Sequence, residues 1–371
     1  MSDETTNLRP AAKARIGVAG QGEALTLWTR AIRGSEGVEL RRLSGTPDDL
    51  VNDLSAVDLD AVAFVSPMRD LAAMVKRAII ARKHVLVVPG IADSHQLILL
   101  DELARRRERV LLFDGCGFAD EAMTVARRIT HGDHPMRRPR FLRALRVCGA
   151  TDSFEDAAQH ALSRLLAIAG EQPSQVSAFA PRFDDDDNGG PRLVHISLAF
   201  PSGLAATLDV SAIEPELRDE LTVVCTGRTL VLDALSTRTP LRVLTSVRQN
   251  DANKVAEHFG SRAEHQSVEA TPAAERVSAA FVEAILGNEA LCNAREFATS
   301  ALVWETARAS MARSGEFTAL AVNHPLVATS RPSLQLIEGG GNTTEATSVP
   351  RLRLVQGGRR AQPMAPPPRS A

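Results

Sequence analysis

Asp156 and His160 stand four residues apart in the run Asp156-Ala157-Ala158-Gln159-His160, a spacing that puts both side chains on one face of a helix. A carboxylate beside an imidazole orients the ring and favours its charged form. Imidazoles titrate near neutrality, which suits the proton that accompanies hydride transfer to or from a carbinol. The competing reading is an exposed i, i+4 contact worth ~0.5 kcal/mol and without function.

A second constellation lies near the start of the chain, where Arg15-Ile16-Gly17-Val18-Ala19 reads as a strand and Gly20-Gln21-Gly22 as the turn into a helix. Glycines there let the backbone turn tightly and approach a pyrophosphate, whose charge is met by the helix N-terminus. Leu25 at the third small-residue position and Glu23 beside the anion site oppose this, so a turn that no longer binds a dinucleotide is the alternative. An NAD site places a carboxylate about 20 residues further on. The second strand here ends Arg41-Arg42-Leu43-Ser44-Gly45-Thr46 without one. The hydroxyls of Ser44 and Thr46 suit a 2′-phosphate, which inclines the cofactor from NAD slightly towards NADP, although such residues are also ordinary turn formers.

Other candidates point away from chemistry. Asp184 to Asp187 precede Asn188-Gly189-Gly190 and read as a solvated hairpin tip, so no metal is expected. His131, Asp133, His134 and Pro135 read as an interdomain loop, and Cys116 between two glycines as a small filler rather than a reactive thiol. The four cysteines are far apart with no metal-ligand spacing, as in a reduced compartment.

The elements that must position these residues follow from periodicity. Strand-like runs at 38–43, 61–65, 85–88 and 110–113 alternate with helical stretches at 21–34, 71–81 and 94–107, which predicts an α/β Rossmann domain with a doubly wound parallel sheet. After Pro139 come a strand at 141–147, a helix at 156–169 carrying the Asp/His pair, and hairpin-like strands at 176–180, 194–200, 205–210, 221–225 and 229–232. Helices at 273–286 and 294–311 close an α+β domain with a mostly antiparallel open sheet. The expected division is a flexible N-terminus at 1–13, a dinucleotide-binding domain at 14–138, a substrate and oligomerisation domain at 139–327, and a disordered Gly/Pro/Arg-rich tail at 328–371. Leu352, Leu354 and Val355 of that tail could dock on a protein partner.

Composition excludes several classes. With 44% hydrophobic residues over 371 positions the chain can bury two cores, and its net charge of −2 with interspersed acids and bases gives no nucleic-acid-binding face. No run approaches the ~20 apolar residues of a membrane helix and no signal peptide is evident, so a cytoplasmic protein is expected.

The ordered blocks Asp60-Ala61-Val62 to Ser66-Pro67-Met68, Lys83-His84-Val85-Leu86-Val87-Val88-Pro89 and Asp156 to His160 resemble the Gfo/Idh/MocA oxidoreductases. So do Ile196 to Val210, Glu220 to Leu232, and Phe281 to Gly287 followed by the helix ending Met311 to Gly315. The resemblance spans about residues 14 to 322. It implies an NAD(P)-dependent oxidoreductase acting on a sugar, cyclitol or related polyol. Ser66, Pro67, Met68 and Pro89 would lie around the nicotinamide, His160 and Asp156 would face the substrate, and subunits would join through the C-terminal sheet. The family's Glu-Lys-Pro triplet, whose lysine is catalytic, is Val87-Val88-Pro89 here. A catalytically inactive member, serving as a ligand sensor or as partner subunit of an active oxidoreductase, is therefore the alternative function.

Overall fold

The computed structural model describes residues 13–43, 50, 53–54, 58–91, 93–115, 120–131, 138–149, 153–181, 191–236, 238–249, 258–265, 272–287 and 292–320. Ser44, Thr46, Cys116, Asp133, His134, Asp184 to Asp187 and the tail at 328–371 lie outside the described residues.

Five parallel strands, β1 (Ala14–Ala19), β2 (Val38–Arg42), β3 (Ala61–Phe64), β4 (His84–Val87) and β5 (Leu111–Phe113), form a sheet in the order β2-β1-β3-β4-β5. β3, β4 and β5 are buried along their whole length, as uninterrupted apolar runs in a sheet covered on both faces must be, whereas the outer strand β2 is mostly polar and exposed. Helix α1 (Gly22–Arg33) buries Leu25, Trp28, Ala31 and Ile32, a stripe at helical spacing, against one face of this sheet. α2 (Leu71–Ile80), α3 (Ser94–Arg106) and α4 (Glu121–His131) follow in the chain. His131 was expected in a loop, but it is the last residue of α4, and its ring packs on Gly170, which caps the next helix.

Buried polar contacts fix the strand starts. The Arg15 amide donates to Asp60 Oδ2 at 2.8 Å and its guanidinium reaches both carboxylate oxygens at 3.1 Å, which registers β1 against β3. His84, the first residue of β4, accepts the Val110 amide at Nδ1 (3.0 Å), with the Arg109 guanidinium 3.1 Å from Nε2. Burial, reinforced by the Arg109 charge, pushes this imidazole down to about 4, so it is neutral at physiological pH.

The second sheet has nine strands in the order β13-β12-β11-β10-β6-β9-β8-β7-β14. These are β6 (Pro139–Val147), β7 (Gln175–Phe179), β8 (Leu193–Ala199), β9 (Ala205–Ser211), β10 (Arg218–Cys225), β11 (Arg228–Asp233), β12 (Leu241–Gln249), β13 (His258–His265) and β14 (Thr318–Ala319). Every pairing is antiparallel except β6 with β9. Helix α5 (Phe154–Ala169) lies on β6 and β9, and Asp219 of β10 holds it in place by bonding Arg146 of β6 at 2.7 Å and Arg164 of α5. Helix α6 (Ala273–Leu286) follows these strands in sequence yet returns to the parallel sheet, where Val277, Phe281 and Ile285 join the apolar layer begun by α1.

Helix α7 (Ala294–Met311) spans both sheets. Asn293, just before it, exchanges two hydrogen bonds with the backbone of Phe113 (2.7 and 2.8 Å), and Glu305 accepts the Ser94 amide and hydroxyl at the start of α3 (2.8 and 3.0 Å). At its far end Ser310 accepts the Ala178 amide of β7 at 2.9 Å. Among the described residues, no helix is long and apolar enough to cross a membrane.

Candidate active site

The order in which strands are added switches sides between β1 and β3, and ligands of such sheets gather in the crevice at the carboxyl ends of the strands on either side. Gly20 follows β1 and packs on Val65 and Ser66. The Gln21 amide donates to Ser66 Oγ at 3.0 Å, which ties the turn to the end of β3 and buries Ser66. Gly22 opens α1 with φ +68, a left-handed conformation that glycine adopts without strain, and no atom lies within 4 Å of where a Cβ would stand. Gln21 makes no side-chain cap hydrogen bond to the helix, which leaves its first-turn amides without a capping acceptor. Glu23 is exposed in the first turn and turned to solvent. A pyrophosphate fits this end of the crevice. Pro67 is exposed and Met68 half-buried beside it, and Arg41 and Arg42 are exposed at the end of β2. Leu25, at the position where a small residue was expected, is buried in the apolar layer under α1.

The reacting end is built by α5 and the ends of β4 and β5. Ser153 caps α5 by accepting the Asp156 amide at 3.3 Å, and this sets the rotation of the first turn. Asp156 then accepts the Gly90 amide at 3.1 Å, immediately after the buried Pro89. A Cβ on Gly90 would lie 2.6 Å from both Asp156 Oδ1 and Gln159 Oε1, so this close approach requires glycine. One turn further along, half-buried His160 meets the edge of the Phe297 ring (centroids 5.7 Å apart, 84° between planes). Burial raises the Asp156 carboxyl above the usual carboxylate range, opposed by the charge of His160 and by the Gly90 amide. The amide of Gln159 is fully buried and has no hydrogen-bond partner among the described residues.

Asp114 was missed in the sequence. It follows β5 directly, donates its amide to Val87 O at 2.8 Å, and has its carboxyl raised by burial against the charges of His160 and Arg276. An acidic residue at the carboxyl end of a strand in a doubly wound sheet was the available signal. Among the described residues no cluster of His, Cys, Asp or Glu is arranged to hold a metal.

No known family profile and no curated protein sequence matches the chain. Solved structures do. The chain superposes on scyllo-inositol dehydrogenase from Lactobacillus casei with bound NAD(H) and scyllo-inositol (TM-score 0.63, 14% identity, 83% of this chain and 99% of that one). It also superposes on UDP-N-acetylglucosamine 3-dehydrogenase from Acidithiobacillus ferrooxidans (0.66, 19%, 81% and 98%) and on an NAD binding oxidoreductase from Klebsiella pneumoniae (0.67, 16%, 84% and 100%). The chain has the Gfo/Idh/MocA dehydrogenase fold.

At Val87-Val88-Pro89, where the sequence resemblance expects Glu-Lys-Pro, both valines lie at or against the apolar interior. Val87 is the last residue of β4 and is completely buried, and Val88 packs against the apolar layer shared by α1 and α6. Val87 is a core residue and Val88 is partly buried at its edge. The titratable side chains gathered at this end of the crevice are His160 and the two carboxyls, Asp114 and Asp156.

Proposed function

We propose that the protein is a cytoplasmic NAD(P)-dependent oxidoreductase acting on a CH–OH group of a sugar, cyclitol or related polyol. The observation that supports this reading above all is the meeting of α5 with the ends of β4 and β5, which brings His160 to the crevice whose other end is the open Gly20-Gln21-Gly22 turn. The relatives in fold that carry NAD(H) and scyllo-inositol, or are described as sugar dehydrogenases, agree with it. A dinucleotide would be held by Gly20, Gln21 and Gly22 at its phosphates and by Ser66, Pro67, Met68 and Pro89 near its nicotinamide. When bound, it supplies the hydride acceptor. His160 takes the hydroxyl proton as the carbinol is oxidised, Asp156 fixes α5 to the end of β4, and Phe297 holds the imidazole edge-on while excluding water from that side. Lysine is replaced by valine, so the missing proton relay lowers turnover by the 10²- to 10⁴-fold range typical of such groups. Exposed Arg42, at the end of β2, supports a preference for NADPH.

A second reading rests on the same valines. With Val87 in the core and Val88 at its edge, the chain would bind dinucleotide and polyol without turning them over, as a sensor or as the partner subunit of an active enzyme. The open face of the nine-stranded sheet carries half-buried Phe141, Leu145, Val224 and Val231, which supports a homo-oligomer through that face. Calorimetric titration with NADPH and NADH followed by a polyol oxidation screen separates the readings. Micromolar binding with His160-dependent turnover supports the enzyme, binding without turnover supports the sensor, and no binding at millimolar concentration removes both. Loss of the NADPH preference in Arg42→Ala tests the cofactor assignment.

A further inference from the structure

We propose that Asp114 is a positioning residue for His160: a second carboxyl that stabilises the charged imidazole from the strand end beside the position the lysine has vacated. This rests on the oxidoreductase reading for its catalytic consequence, but the pairing itself does not need a cofactor.

Four observations carry it. First, β4 and β5 pair with Val87 opposite Phe113, so the next residues, Val88 and Asp114, are neighbours across the sheet. The place emptied of a positive side chain is adjacent to one that holds a negative one. Second, Gly115 has φ +127, and a Cβ there would lie 3.4 Å from His160 Nδ1 and 2.6 Å from Phe297, so the backbone after Asp114 runs directly beneath the imidazole. Third, Asp114 lies between charges on two helices, His160 of α5 and Arg276 of α6, both of which favour its ionised form. Fourth, Asp156 already gives one oxygen to the Gly90 amide and acts as a tether, so a separate carboxyl is available to answer the charge on His160. Among the described residues, the titratable surroundings of His160 are thus Asp156 on its own helix and Asp114 just after β5, with Arg276 of α6 also acting on Asp114. Glu155 is directed away to Trp304 and Arg308 of α7, and α7 presents the Phe297 ring to His160.

Carboxyl-selective NMR titration of the cofactor-free protein tests the pairing. In His160→Gln, the Asp114 carboxyl should titrate at higher pH than in the parent, because a favourable charge has been removed. An unchanged Asp114 titration overturns the proposal whether or not the protein is a dehydrogenase. The second arm uses Asp114→Asn, which keeps the shape of the side chain. The acid limb of polyol oxidation should move to lower pH, because an opposite charge that interacts with His160 is lost. A fall in rate at all pH values with an unmoved limb marks Asp114 as merely structural and also overturns it.

Discussion

The Asp156 carboxylate accepts the backbone amide of Gly90 at 3.1 Å, so a helix of the second sheet is hydrogen-bonded to the end of a strand of the first. This one contact places the Asp/His face of α5 over the crevice. It also depends on the absence of a side chain at residue 90, since a Cβ there would come within 2.6 Å of two polar side-chain atoms. Gly90→Ala should cost about 1–3 kcal/mol through overpacking. Urea denaturation would show a lower midpoint, and any binding or turnover at His160 should weaken in parallel. Unaltered stability would mean that Asp156 and Gln159 can swing aside freely.

Restoring the lost triplet should succeed at one position and fail at the other. Val88→Lys places an ammonium at the partly buried end of β4, beside Asp114, where a partner of opposite charge is at hand. Val87→Glu buries an unpaired carboxylate in the sheet interior, at a cost of ~3–5 kcal/mol. Thermal melts should therefore show the lysine variant near the parent and the glutamate variant severely lowered. A gain of polyol oxidation is expected in Val88→Lys alone rather than in the double variant.

The neutral His84 gives stability a specific pH dependence. Its folded pKa, about 4, lies below the unfolded value near 6.5, so the unfolded chain binds more protons between these limits. Above pH 6.5 the residue is neutral in both states and contributes no slope. As pH falls from 6.5 through 4, stability is lost. His84→Leu should flatten that portion of a plot of urea midpoint against pH, while lowering the plateau because the Val110 amide loses its acceptor.

Much of the fold was legible because burial and periodicity agree. The unbroken apolar runs of β3 to β5 and the stripe on α1 state their environment directly. β12 and β13 were not, because runs such as His258-Phe259-Gly260-Ser261-Arg262 lack the apolar alternation that marks a strand in sequence. α4 was hidden because its buried face is made largely of small residues, Ala122, Ala126 and Thr130. At the site, the spacing of Asp156 and His160 was readable from one helix. Asp114 was not, since its nearness to His160 depends on strand register and on the approach of a glycine.

Gln159 offers a test of whether this crevice is complete without ligand. A fully buried amide with no partner is destabilising, so Gln159→Met should leave stability unchanged or raise it by about 1 kcal/mol. Calorimetry on the same variant would then report whether polyol binding depends on the amide. Destabilisation well beyond this value would show that the native side chain is satisfied in solution.

Helix α7 is attached at three places: to the edge of β5 through Asn293, to the start of α3 through Glu305, and to β7 through Ser310. Swinging one sheet away from the other would break either the Ser310 contact or those of Asn293 and Glu305, at about 1 kcal/mol or more apiece. A long rod braced in this way couples the two sheets, so that a shift of either one is felt at the ends of the other.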